Sequence, residues 1–202
     1  MLELETPHGP ARVELHRADQ PAAALVLGHG AGGGVGSPDL AAVTRAAVAL
    51  RISVALVEQP YRVAGRRSPA PARQLDAAWT AVLARLRAEE LGGLAVIAGG
   101  RSSGARVACR TATAVGAAAV LCLAFPLHPP GGADDPARSR LSELEAVPVP
   151  TLVIQGDHDP FGLPPAGAGR TVVVVPGTHG LRSTAAVAAV ASDWLAARVA
   201  EL

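Results

Sequence analysis

The sequence contains no lysine; all 18 of its basic residues are arginine. That absence excludes a phosphate-loop lysine, a Schiff-base lysine and a serine–lysine dyad. Aromatic residues make up 2% of the chain, so packing has to come from helices that dock small faces on a Val-rich sheet. Only two cysteines are present, Cys109 and Cys122. Both sit in apolar runs outside any metal or redox spacing and read as buried reduced thiols, which points to the cytosol. An excess of charge of one sign is also lacking. The formal net charge of +1 argues against a nucleic-acid partner or an acidic membrane surface, either of which calls for a strong basic excess. The longest apolar run, Thr113 to Leu127, is broken by Gly116 and Pro126 and falls short of the roughly 20 residues of a membrane span. The opening Met1-Leu2-Glu3-Leu4-Glu5 has neither a basic nor an apolar stretch, so no secretory signal is expected and the protein is expected in the cytoplasm.

What is present fits one α/β domain over residues 1–202, a length that buries roughly 70% of the unfolded surface without staples. Two alternating segments, Leu2 to Thr6 and Arg12 to His16, flank Pro7-His8-Gly9-Pro10 and predict an opening β-hairpin. Apolar, β-rich runs then recur at Ala23–Leu27, Ser53–Val57, Leu94–Ala98, Ala118–Leu123, Thr151–Ile154 and Thr171–Val175. Strands apolar on both faces belong to the middle of a parallel sheet. Helical spacing appears at Asp39–Leu50, Ala72–Glu90, Ser103–Ala114 and Ser183–Val199. The order predicts a mostly parallel sheet with an antiparallel hairpin at its start and helices on both faces, and it places function at the carboxyl ends of the strands. The irregular stretch Pro126 to Pro150 has room for a short helix around Arg138–Glu145 and none for a large lid.

The chemistry starts at Leu94-Ala-Val-Ile-Ala-Gly-Gly100-Arg-Ser102-Ser-Gly104, a strand followed by G-x-S-x-G and a helix. A turn sharp enough to present a nucleophilic serine strains that residue and requires small neighbours two positions before and after it, a demand that Gly100 and Gly104 meet. Such a turn also aims the Ser103 N–H toward an oxyanion at the carbon under attack. Downstream, Thr151-Leu-Val-Ile-Gln-Gly156-Asp157-His158-Asp159-Pro160-Phe161-Gly162 runs from a strand into acidic residues, and Thr171-Val-Val-Val-Val-Pro-Gly-Thr-His179 ends on a histidine. Serine, acid and histidine thus follow one another, each just past a predicted strand. A serine hydroxyl needs an imidazole to take its proton, and the imidazole needs a carboxylate to fix its tautomer. His179 is the expected base. Asp159 and Asp157 both qualify as the acid, and Asp157, His158 and Asp159 also qualify as a metal cluster, although three adjacent side chains do not easily face one ion.

A rival reading comes from Gly28-His29-Gly30-Ala31-Gly32-Gly33, which matches G-x-G-x-x-G after a strand, with Glu58 closing the next strand as a dinucleotide fingerprint requires. Against it, the following helix starts only near Pro38, too far away for a tight phosphate-binding turn.

Taken in order, His-Gly-Ala-Gly, Pro60-Tyr61, the elbow followed by Gly-Ala-Arg-Val-Ala, Phe-Pro-Leu-His-Pro-Pro and Gly-x-x-Asp-Pro-Phe-Gly resemble the small lidless α/β-hydrolases similar to dienelactone hydrolases, in the bacterial group with a serine nucleophile. The resemblance spans nearly the whole chain. It implies an α/β-hydrolase fold and a catalytic set of Ser102, Asp159 and His179, favouring Asp159 over Asp157. It further implies an oxyanion hole of the Ala31 and Ser103 N–H groups, with His29 holding the loop by a hydrogen bond. Arg101, His128 and Tyr61 are the residues expected on the substrate pocket. Dienelactone hydrolase proper has a cysteine where this chain has Ser102, so lactone specificity does not carry over.

The expected activity is cleavage of an ester, thioester or related acyl bond of a small molecule through an acyl-enzyme, with no cofactor. Arg62, Arg66 and Arg67, with Arg101, are candidates to attract a carboxylate-bearing acyl compound, and also read as solvated surface arginines. The fold equally permits a binding or scaffold protein with an idle triad, or acyl transfer to an acceptor other than water.

Overall fold

In the computed structural model, which describes residues 1–132 and 135–202, the chain builds an eight-stranded sheet. Its strands are β1 (Leu2–Leu4), β2 (Ala11–His16), β3 (Ala23–Gly28), β4 (Ile52–Glu58), β5 (Val96–Arg101), β6 (Ala119–Leu123), β7 (Thr151–Gly156) and β8 (Arg170–Val175). They lie in the order β1-β2-β4-β3-β5-β6-β7-β8. β2 runs antiparallel to both β1 and β4, and every pair from β4 to β8 is parallel. The mostly parallel sheet with an antiparallel hairpin at its start is the arrangement the sequence predicts. β1 is shorter than its apolar pattern because Thr6 turns the chain, accepting the His8 N–H and donating to the Gly9 carbonyl.

Helices cover both faces. α1 (Pro38–Ala49) and α6 (Thr184–Val199) lie on one, α3 (Ala72–Glu89) and α4 (Ser103–Thr111) on the other, with the single-turn α2 (Pro60–Val63) after β4. Alternation along β3 shows why the run is wholly apolar: Ala24 and Val26 pack toward Trp79 and Val82 of α3, while Leu25 and Leu27 pack toward Leu40 and Val43 of α1. A strand covered on both sides has no polar face to expose. The Ala-rich faces of α1 and α6 let these helices touch each other as well as the sheet.

Cys109 and Cys122 are free, buried thiols with sulfurs 3.5 Å apart. Between β6 and β7 the described residues form only a 3₁₀ turn (Pro136–Arg138) and α5 (Leu141–Glu145), with no large lid among them. No described helix is long and apolar enough to cross a membrane.

Candidate active site

The register sets the stage. Gly28 of β3 pairs with Gly100 of β5, and Arg101 pairs with Leu123 of β6, so these strands end together and the loops after them share one edge. At the end of β5 the chain reverses into α4 through Ser102, whose φ of 51° and ψ of −109° lie in a region that costs a residue with a Cβ on the order of 1–3 kcal/mol. The Ser102 N–H, donating to the Leu123 carbonyl at 2.9 Å, ties the strained residue to β6. The flanking glycines are required by close packing: a Cβ on Gly100 or Gly104 would collide with the Gly28 carbonyl oxygen. The pair of small residues read from G-x-S-x-G therefore makes room for the end of β3 under the turn.

Ser102, His179 and Asp159 come together. His179 Nε2 is 2.9 Å from Ser102 Oγ, and His179 Nδ1 is 2.8 Å from Asp159 Oδ2. With Nδ1–H donating to the carboxylate, Nε2 is left to accept from the serine hydroxyl. The Asp159 side chain is 1% exposed against 18% for His179. Two further donors hold the buried carboxylate: Gln155 Nε2 to Oδ2 and the Phe161 N–H to Oδ1, both at 2.9 Å. Asp157 points elsewhere. Its Oδ1 accepts the Gly177 N–H at 2.8 Å and lies 2.8 Å from His158 Nδ1. The Gly177 bond, and the His158 ring beside it, hold its carboxyl below the usual carboxylate range. Asp157 and Asp159 thus face different partners, and no cluster of metal-ligating side chains occurs among the described residues.

Several contributors to this geometry carry no chemical signature in sequence. The Gln155 amide nitrogen, fully buried on β7, also lies 3.1 and 2.8 Å from the carbonyl oxygens of Phe125 and Gly162, so its two hydrogens are shared among three acceptors. Gly156 admits the histidine loop, since a Cβ there would sit 2.6 Å from the carbonyl oxygens of Gly177 and Thr178. Phe161 packs edge-on to the His179 ring, with centroids 4.5 Å apart. Their signals, a polar residue in an apolar strand and a glycine at its end, were visible without pointing to a partner.

The glycine-rich loop after β3 brings Ala31 to the same place. Among the described residues, neither the Ala31 nor the Ser103 N–H donates to a protein acceptor, and both residues line a cavity of about 420 Å³ together with Ser102 and His179. His29 sits behind the loop: Nδ1–H donates to the Gly30 carbonyl at 2.8 Å and Nε2 accepts the Gln59 N–H at 3.0 Å. Accepting at Nε2 requires a neutral ring, and burial lowers its pKa from the ordinary 6.5. α1 begins only at Pro38, and Gly28 packs against Trp79 and Gly104. The close approaches of this loop are thus to the elbow, where a dinucleotide fingerprint would use its glycines for pyrophosphate.

The residues expected on the pocket are redistributed. Tyr61 is buried and donates its hydroxyl to the Ala31 carbonyl at 2.9 Å, so it braces the loop from behind. His128 is off the cavity wall; its N–H donates to the Phe161 carbonyl and its ring lies beside Gly162. Arg101 does line the cavity, but its guanidinium is held by Asp39 and the His179 carbonyl, each at 3.0 Å. Arg62 donates to the Arg66 carbonyl, and Arg66 and Arg67 are exposed. None of these three reaches the cavity; Arg106 and Arg140 line it in their place.

Comparison with known proteins completes the picture. A family model of an alpha/beta hydrolase domain matches residues 21–171. No curated protein matches the sequence. Similar solved structures include a serine hydrolase without lid from Xanthomonas campestris, with a TM-score of 0.76 at 21% identity over 99% of this chain and 93% of that one. A serine hydrolase homologue from Coxiella burnetii gives 0.77 at 15% identity over 96% of each chain. A dienelactone hydrolase from Anabaena variabilis gives 0.74 at 20% identity over 96% and 94%. At these identities the likeness is one of fold. On the family match and this architecture together, the chain belongs to the alpha/beta hydrolase domain family.

Proposed function

We propose that the protein is a serine hydrolase that cleaves an ester, thioester or related acyl bond of a small molecule, with Ser102 as nucleophile. The observation that carries this reading is the unbroken series of contacts from Ser102 Oγ through His179 to Asp159, at 2.9 and 2.8 Å, starting from a serine at positive φ on a cavity wall.

In the proposed reaction, Ser102 Oγ attacks the carbonyl carbon while its proton passes to His179 Nε2. Asp159 keeps the proton on Nδ1 and stabilises the imidazolium. The negative charge on the former carbonyl oxygen is met by the N–H groups of Ala31 and Ser103, which are fixed by the backbone and need no reorganisation as charge develops. His179 then protonates the leaving alkoxide or thiolate, and the carbonyl re-forms as an acyl-serine. Water, deprotonated by His179, repeats the sequence and releases the acid. Phe161 packs against the imidazole and Tyr61 holds the Ala31 carbonyl, so both sides of the site are fixed before substrate enters.

The test is labelling with a fluorophosphonate probe and turnover of short p-nitrophenyl esters, beside Ser102→Ala and His179→Ala variants whose folding is checked by circular dichroism. Labelling and turnover by the wild type, with rates lost by about a million-fold in the folded variants, is the expected result. A well-folded wild type that neither labels nor turns over any ester would overturn the reading and leave a hydrolase-fold binding protein.

A further inference from the structure

Three arginines line the cavity that holds Ser102, and their charges are met in different ways. Arg101 pairs with Asp39 at 3.0 Å. Arg106 makes a two-pronged pair with Glu143, Nε to Oε2 at 2.8 Å and Nη2 to Oε1 at 2.5 Å. Arg140 has no carboxylate within ion-pair distance among the described residues. Its Nη1 instead donates to the carbonyls of Pro126 and His128, at 3.1 and 3.2 Å. Both hydrogens of Nη1 are thereby used, and the donors on Nε and Nη2 have no protein acceptor among the described residues. These two nitrogens form the flat edge of the guanidinium that matches the two oxygens of a carboxylate.

The rest of the surroundings favours the same ligand. The Arg140 N–H of the main chain donates to the Leu127 carbonyl at 2.8 Å, so backbone and side chain are both anchored and little rotamer freedom is left to lose on binding. Burial, with repulsion from the cations Arg106, Arg110 and Arg138, lowers the Arg140 pKa against the attraction of Glu143. The guanidinium nonetheless keeps its proton throughout the physiological range. A half-buried cation with unmet donors, beside other cations and facing a cavity, is stabilised by an anion entering that cavity.

We propose that Arg140 is an anion anchor of this site and that the substrate is an acyl compound bearing a carboxylate, which the Nε and Nη2 edge of Arg140 binds while Ser102 attacks the acyl carbon. The inference rests on the hydrolase reading above and adds a substrate class to it. The carboxylate can sit on the acyl side or on the leaving group, and the same guanidinium edge serves either.

The experiment compares matched esters on wild type, Arg140→Gln and Arg140→Lys. The acyl-side pair is the p-nitrophenyl half-ester of glutaric acid against p-nitrophenyl pentanoate. The leaving-group pair is p-butanoyloxybenzoate against its methyl ester. In one of the two pairs, the wild-type kcat/KM for the charged ester is expected to exceed that for its neutral partner by about 10- to 100-fold. Arg140→Gln should bring that ratio close to one, and Arg140→Lys, which keeps the charge and loses the fork, should retain part of it. A wild type that labels with fluorophosphonate and hydrolyses the neutral esters, yet favours the charged ester in neither pair, would overturn the anion anchor and leave the hydrolase standing. So would a preference that survives in Arg140→Gln. Failure of labelling and of all turnover would bring down the hydrolase reading itself, and this inference with it.

Discussion

Arg101, the residue before Ser102, donates from Nη2 to the main-chain oxygen of His179 at 3.0 Å, while its Nε reaches Asp39 Oδ2 at 3.0 Å. The strand that carries the serine and the loop that carries the histidine are therefore joined twice, once through the side chains and once through this guanidinium. Asp39 in turn is 1% exposed and sits in the first turn of α1, where its other oxygen accepts the Leu40 N–H at 2.9 Å. One cation thus fixes three segments around the imidazole.

Removing Arg101 leaves the Asp39 carboxylate buried without its main partner. Arg101→Ala is expected to destabilise the fold by about 1–3 kcal/mol, read from urea unfolding. The double variant Arg101→Ala with Asp39→Ala should be more stable than the single one, because an absent pair costs less than half of one. Turnover should fall in kcat more than rise in KM, since what is lost is the placement of His179.

The two acids of the β7 loop separate by partner. Asp159→Asn, which keeps the shape and loses the charge behind His179 Nδ1, is expected to lower kcat by about ten-thousand-fold. Asp157→Asn, at a carboxylate bonded to Gly177 and His158, should cost about tenfold or less, through a loosened histidine loop. Ester kinetics on both variants check this, and equal losses would mean that the acid is wrongly assigned.

The glycines of the two motifs differ in the same testable way. Gly104→Ala drives a Cβ into the Gly28 carbonyl and is expected to cost about 3 kcal/mol or more, or to prevent folding. Gly33, the third glycine of the rival nucleotide pattern, has open space where a Cβ would go and a φ outside the left-handed region. Gly33→Ala should stay within about 0.5 kcal/mol of wild type by thermal or urea unfolding.

His29 gives the fold a pH dependence. Its folded pKa lies below the ordinary 6.5 because burial disfavours the charged ring. The unfolded chain then binds the proton more readily, so stability rises with pH across this titration. The contribution is fully present above 6.5 and is lost as pH falls from there through the folded pKa. The midpoint of thermal unfolding should drop between about pH 7.5 and about pH 5, which bracket the reference pKa. In His29→Gln the drop should be smaller, by the part that this ring supplies.

Much of this was legible beforehand, for identifiable reasons. β3 and β5 could be found because strands covered on both faces are apolar at every position, and α3 because its apolar positions recur at helical spacing. The elbow was legible because its glycines are demanded locally, within two residues of Ser102. α2 was missed, being a single turn without room for a period. Of the expected pocket residues Arg101 does line the cavity, while Tyr61 and His128 do not, because proximity in sequence to a motif says nothing about which way a side chain points: Tyr61 holds the Ala31 carbonyl of the loop after β3 and the His128 ring lies beside Gly162.

By itself the sequence determined the layered architecture and the candidate chemical groups, Ser102, Asp159 and His179, each just past a strand, because periodicity and turn chemistry are properties of neighbouring residues. Only the tertiary structure decided which groups meet. Gln155 reaches Asp159, Arg101 reaches Asp39 and His179, and Arg140 rather than Arg62, Arg66 or Arg67 borders the cavity. The Arg101 contacts join segments 62 and 78 residues apart, which strand order and register bring together; Gln155 and Asp159, only four apart, meet because the chain folds back at the end of β7, and local pattern carries no record of either.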